Sequence, residues 1–340
     1  MSDNPKDTEA KMAKTIFISA DCWLCVFDLL PALQLGLGIA MISHRFDFYV
    51  DEHFKTRKWT LGKIRIHSKN GKNGTKEMEI VNSYYWKALQ IPQIQMPRKV
   101  IGFERINISY IDRNAIAFLR HFRHLFASRP INLAINTHND RILALILYNI
   151  WPMLNKNIHG LRLSSTFFHR LRKFVPSILN DLPLLRIVKF FADDDDLFAE
   201  FPCDDSAAAS DGQAVAKWLF TPRPDNVPKV LKCELDTKYR NLASQIEAFK
   251  AAFASASSPV NFIVVIWVFH SFFAGFVPFV LTNELTREQL TLKRTHKRDN
   301  CLLLLIRSPI ARDANKWAKW EEEAIGWNFL DQSNQIDIYL

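Results

Sequence analysis

Phe103-Glu104-Arg105-Ile106-Asn107-Ile108 sets apolar residues at its first, fourth and sixth positions, and the same spacing returns down the chain. It recurs as Pro130-x-x-Leu133-x-Ile135, Ile158-x-x-Leu161-x-Leu163, Leu182-x-x-Leu185-x-Ile187, Pro228-x-x-Leu231-x-Cys233 and Val260-x-x-Ile263-x-Val265. The first four lie roughly 24 to 28 residues apart, a period used by stacked repeat proteins. Helical spacing fills the gaps: Ile116 and Leu119 with Arg120 and Arg123, then Ile142, Leu145, Ile146 and Ile150, then Phe167, Leu171 and Phe174, and later Ile246, Phe249 and Phe253. One strand with one helix cannot hide both apolar faces, so the units are expected to stack. The expected fold class is therefore α/β, with a repeat-like region over residues 103–282.

That region resembles a degenerate leucine-rich-repeat array. Ile111, His138, Thr166 and Phe190 stand where the family usually has an Asn or Cys that bonds the turn. The fourth unit carries an acidic insertion, Asp193 to Asp196 and then Asp204-Asp205-Ser206 to Gly212, expected to be a solvated loop rather than a metal site. Val260 to Leu281 holds no formal charge and is long enough to cross a bilayer. Its β-branched and aromatic residues, broken by His270-Ser271, Gly275 and Pro278, instead suggest two buried strands joined by a short turn. Residues 283–340 are expected to form a mixed C-terminal α+β part. There Glu288 to Lys293 alternates like a strand, Lys293 to Asn300 reads as a polar turn and Cys301 to Ile306 as a buried run. Ala311 to Ile325 follows as a helix with Trp317, Trp320, Ala324 and Trp327 turned inward.

Upstream, Ile18-Ser19-Ala20-Asp21-Cys22-Trp23-Leu24-Cys25-Val26-Phe27-Asp28-Leu29-Leu30-Pro31 opens a second pattern. Trp23, Phe27 and Leu30 share one helical face; after Pro31, Leu35, Ile39, Ile42 and Phe46 repeat the spacing, and Phe46, Val50 and Phe54 form a third set. Ser19 or Asp21 can cap the first helix. The segment 14–56 resembles an F-box, the helical module that docks on the Skp adaptor of cullin ubiquitin ligases, and most closely the F-box proteins expanded in parasitic nematodes. Ile18-Ser19 replaces the usual Leu-Pro opening, and Cys25 replaces an acidic or polar residue. The resemblance implies a three-helix module in which Ile18, Trp23, Leu24, Phe27, Leu30, Pro31, Leu35, Ile39 and Phe46 form the adaptor-binding patch, by a helix-in-groove mode. Residues 1–13 are expected to be a disordered tail, and 57–102 a linker with the first strands and a Gly- and Lys-rich loop.

The 340-residue length accommodates several parts, and the net charge of +9 comes from basic residues scattered outside any nucleic-acid motif, so no nucleic-acid partner is expected. Five cysteines without regular spacing fit free thiols in a reducing compartment, cytoplasmic or nuclear. Cys22-x-x-Cys25 has the form of half a zinc or redox site, and is read here as a coincidence of buried small residues. Phosphate loops, His-Glu-x-x-His and Gly-x-Ser-x-Gly motifs are missing from the sequence, so neither catalysis nor a cofactor is expected. The resemblance implies a non-catalytic substrate receptor that binds Skp, and through it a cullin, while the C-terminal region holds a target protein. The alternatives are an F-box scaffold outside a ligase and a membrane-tethered protein.

Overall fold

The computed structural model describes residues 18–56, 59–70, 76–82, 87–89, 100–191, 198–234, 242–268, 276–297 and 300–340. The expected N-terminal tail, Asp193 to Asp196, and the His270-Ser271 and Gly275 interruptions lie outside the described residues, as do residues 71–75 of the Gly- and Lys-rich loop expected over His67 to Lys76, whose ends are instead strand.

The chain opens with helices α1 (Ala20–Phe27), α2 (Ala32–Gln34) and α3 (His44–Thr56). Thereafter the described residues build a 13-stranded sheet. Its strands are β1 (Trp59–Asn70), β2 (Lys76–Asn82), β3 (Lys87–Leu89), β4 (Val100–Ile108), β5 (Ile131–Asn136), β6 (Ile158–Ser164), β7 (Ile187–Phe191), β8 (Lys229–Glu234), β9 (Phe262–Val268), β10 (Phe279–Asn283), β11 (Glu288–Lys297), β12 (Asn300–Pro309) and β13 (Gln335–Tyr339). Strand order is β10-β11-β12-β9-β8-β7-β6-β5-β13-β4-β1-β2-β3. The middle, from β9 to β1, is parallel, and antiparallel strands finish both edges.

From β4 to β9 the chain steps across the sheet in a single direction. Crossovers between parallel strands are right-handed, so a one-way march drops every connecting helix on the same face. These helices are α4 (Arg113–His121), α5 (Arg123–Ser128), α6 (Asp140–Asn149), α7 (Trp151–Leu154), α8 (Ser165–Phe174), α9 (Asp211–Leu219) and α10 (Leu242–Ala254). Their apolar sides and the inward residues of the strands, such as Leu133, Ile135, Leu161, Leu163, Val188 and Leu231, make one continuous core. Asp112, Asn139, Ser164 and Ser210 each cap the helix that follows with a side-chain oxygen. Phe174, expected on the inner side of its helix, is 45% exposed.

Helix α11 (Ala314–Gly326) lies on the other face, where Trp317, Ala324, Trp327 and Phe329 cover Ile187, Val230, Ile263, Val265, Leu302 and Leu304. The inward reading of Trp317 and Trp327 therefore agrees with their burial. The expected strand phase does not hold in two units. In β7 the core-facing residues are Val188 and Phe190, and in β9 Ile263 and Val265 point to α11. β9 is covered on two faces, so no polar alternation marks which side is which there, while in β7 the side facing α11 carries Ile187 and then the polar Lys189.

Two expectations about the C-terminal half are revised. Val260 to Leu281 does supply strands, but β9 and β10 are not a hairpin: β12 and β11 lie between them, and β10 is an edge strand with Val280 60% exposed. Among the described residues no helix is long and apolar enough to cross a membrane. The polar turn expected over Lys293 to Asn300 is shorter, because β11 runs on to Lys297 and β12 begins at Asn300. Residues 283–340 contribute β11, β12 and β13 to the same sheet, and β13 slips between β4 and β5. Asn334, at a positive φ of 53°, steers that insertion: its N–H donates to Phe103 O at 2.9 Å and its Oδ1 accepts from Phe103 N at 3.1 Å. A side chain at Gly102 would meet Asn334 Oδ1 at 2.7 Å, so this close approach requires glycine.

The described part of the acidic insertion is tied down rather than loose. Buried Arg172 donates to Ser206 O, Ala209 O and Asp211 Oδ1 at 2.8 to 2.9 Å, and Asn180 bonds Asp205. Conversely, burial, together with the charges of Arg186 and Arg223, pulls the His159 pKa down to about 4. As pH falls from about 6.5 to 4 the unfolded chain takes up a proton that the folded chain refuses, so stability present above pH 6.5 is lost over that window. His159→Gln should flatten the acid limb of a stability-versus-pH curve by up to about 3 kcal/mol. Parallel curves for both proteins would refute this.

Candidate partner-docking surface

Ser19 starts α1 by accepting from Cys22 N at 3.4 Å, and Asp21 sits in the first turn without capping it. The helix directs Trp23, Phe27 and Leu30 towards α3. There Trp23 meets Phe46 edge-on at 4.8 Å, and Phe27 packs against Phe46 and His53. Phe27, Ala32, Leu35, Val50 and Phe54 are the buried centre of a small core separate from that of the sheet. Arg45 locks the opening turn to α3, donating to Ile18 O at 3.2 Å and Tyr49 Oη at 3.0 Å.

Between α2 and α3 the chain widens into a π turn, Leu35–Ile39, then tightens into a 3₁₀ turn, Ala40–Ile42. This change of pitch breaks the simple helical phase. Leu35 is fully buried and Ile39 half-buried, while Ile42, which the spacing put on the same face, is 62% exposed.

Of the residues proposed for docking, Phe27 and Leu35 are sealed within the module and cannot be contact residues; they support the surface from beneath. The cause is size: a module this small draws its largest apolar side chains inward to have any core. Trp23, Leu24, Leu30, Pro31, Ile39 and Phe46 are half-buried with an edge reaching solvent, and Ile18 is exposed. The outer side of α1 and the turn after it carry a further apolar stripe outside the expected patch: Cys22, Cys25, Val26 and Leu29, with Leu29 83% exposed. Met41, Ile42 and Phe48 are also exposed. The signal was present as a second i, i+4, i+7 set on a helix that is apolar nearly all round.

A second candidate surface is the polar part of the sheet beside α11, where Arg65, Asn107, Arg162 and Lys189 are half-buried and Ala134 and Asp337 are buried. One register row runs Arg65, Asn107, Asp337, Ala134, Arg162 and Lys189 across β1, β4, β13, β5, β6 and β7. Arg105 pairs with Asp337 at 3.4 Å and Lys189 with Glu234 at 2.7 Å. Burial pushes the Asp337 carboxyl above its usual range, against the pull of Arg105 and Arg162. At the β1–β2 end an open cleft of about 620 Å³ is lined by Arg65, His67, Glu79, Val81, Asn107 and Ser109.

No family model, no curated protein and no solved structure matches this chain.

Proposed function

We propose that the chain is a substrate receptor of a Skp–cullin ubiquitin ligase: an F-box at residues 14–56 binds the adaptor, and a degenerate leucine-rich-repeat-like α/β body holds the target. The observation that supports this most is the apolar stripe Val26 and Leu29, left bare on a helix whose opposite side already fills its own core. Exposed apolar surface that is rimmed by polar groups marks interaction sites. In this reading Ile18, Trp23, Leu24, Leu30 and Pro31 act beside that stripe. The target surface is the polar sheet face beside α11, since a parallel sheet is ordinarily covered on both sides and this one is polar where it is not. The receptor supplies proximity: it holds the target near the ubiquitin-charged enzyme and contributes no reacting group.

Retention of the purified full chain on immobilised Skp-family adaptor tests the assignment. Val26→Asp with Leu29→Asp should weaken binding by about tenfold or more, since burying one such side chain is worth about 1.5–3 kcal/mol. Circular dichroism should be unchanged, because both sites face solvent. Trp23→Ala with Phe27→Ala should abolish binding by unfolding the module instead. Equal retention of wild type and the aspartate pair rejects this surface.

A further inference from the structure

The Cys22-x-x-Cys25 motif is not buried, as its spacing in an apolar segment suggested. Both thiols are exposed on the outer side of α1, whereas Cys203 is half-buried and Cys233 and Cys301 are buried. Ser19 Oγ donates to Cys22 Sγ at 3.2 Å, while the same oxygen caps the helix. Residues three apart on a helix have Cβ atoms about 5–6 Å apart. A disulfide needs Cβ atoms about 3.5–4.5 Å apart, with Cα atoms within about 4.4–6.8 Å. Closure is therefore reachable by a local tightening of α1, at the expense of its regular geometry. Val26 and Leu29 lie on the helix and the turn immediately beyond.

We propose that Cys22 and Cys25 form a hydroperoxide-sensitive dithiol that closes to a disulfide within α1 and deforms the exposed stripe beside it. The Cys22 sulfur attacks a peroxide oxygen; the O–O bond breaks, water leaves and the sulfur becomes a sulfenic acid. The Cys25 sulfur then attacks it, the S–S bond forms, the S–O bond breaks and a second water leaves with the remaining proton. Two thiols are oxidised and one hydrogen peroxide is reduced. A strained, exposed disulfide is easily reduced again, which makes the step reversible in a thiol-rich compartment. Disulfide closure stands on the geometry of α1; its effect on adaptor binding rests on the proposed function.

The test treats the full chain with hydrogen peroxide, blocks free thiols by alkylation and maps the peptides. The expected product is a Cys22–Cys25 link that dithiothreitol reverses, with Cys203, Cys233 and Cys301 still alkylatable after denaturation. Cys25→Ser should leave Cys22 as a sulfenic acid that dimedone captures. Oxidation of Cys203 before any link appears, or sulfinic acids at Cys22 and Cys25 without a link, overturns the proposal. On immobilised adaptor, peroxide should weaken retention of wild type by about tenfold and leave the Cys22→Ser, Cys25→Ser protein unaffected. Failure of the reduced chain to bind would sink the docking assignment, while the peptide map still decides the dithiol.

Discussion

Arg307→Met should destabilise the α/β body by about 3–5 kcal/mol, because it strands a buried carboxylate. Arg307 is 0% exposed and Glu288 1%. Arg307 donates to Glu288 Oε2 through Nη2 at 2.6 Å and Nε at 3.1 Å, and to Ser258 O at 2.8 Å. The guanidinium also lies 5.3 Å from the ring centres of Phe220 and Phe253, so it fastens β12 to both α9 and α10. Glu288 Oε1 accepts from Val260 N at 2.7 Å, which ties in the start of the apolar run. Attraction between such groups offsets their desolvation only while both are present. Arg307→Met with Glu288→Leu should therefore recover much of the loss. Urea unfolding followed by tryptophan fluorescence measures all three proteins. A single-variant loss below about 1 kcal/mol, the range of exposed pairs such as Lys250–Glu247, would show that the pair is no anchor.

The second large effect is expected at Lys232. Strand β8 sends Lys229 and Lys232 to opposite faces of the sheet, following the two-residue alternation of a strand. Each finds a helix C-terminus. Lys229 donates to Trp218 O and Thr221 O at the end of α9, and its burial, with the nearby charge of Arg223, draws its pKa down to about 7. Lys232, 2% exposed, donates to Ala324 O at 2.8 Å, Ile325 O at 3.3 Å and Trp327 O at 2.7 Å. These are carbonyls that a helix end leaves without partners, and a cation there also meets the negative end of the helix dipole.

Lys232→Met keeps the aliphatic stem and removes the donor. With hydrogen bonds to charged groups worth about 1.5–3 kcal/mol each and some carbonyls regaining water, the loss should be about 3–5 kcal/mol. It should concentrate in α11: amide exchange there rises while β5 and β6 remain protected. Lys232→Arg should not rescue, because a planar fork cannot converge on three clustered carbonyls as an ammonium does. Uniform loss of protection across the sheet would instead make Lys232 a general core residue and not a fastener of α11.

Much of this architecture was legible from residue spacing. The strand-helix alternation after Phe103, the burial of Ile146, Leu171 and Phe249, and the inward Trp317 and Trp327 all follow from periods of two and 3.6 residues. In the N-terminal module the spacing grouped Val50 and Phe54 with Phe46, and both are buried, whereas Phe27, expected in the adaptor-binding patch, lies in the core instead. The docking surface was only half legible. Spacing identifies which residues share a face, but Phe27 and Leu35 obey the same rule as solvent-facing anchors would. Burial depends on what the other helices bring. Lys229 and Lys232 interrupt an apolar run; Lys229 bonds the end of the helix just before its strand, whereas Lys232 reaches the end of α11 far along the chain, a partner no local pattern points to.

By itself the sequence determined the local elements, since helix and strand periods, caps such as Ser19 and Asp112, and the break at Pro31 act within a few residues. Only the tertiary structure decided that β13 enters between β4 and β5, since β-pairing over more than two hundred residues is set by register and the turn at Asn334. It also decided that the repeat helices crowd onto one face and leave the other partly open, a consequence of one-way right-handed crossovers. Likewise it turned Ile42, Cys22 and Cys25 outward, because a change of helical pitch and the placement of a neighbouring helix are properties of the assembled chain.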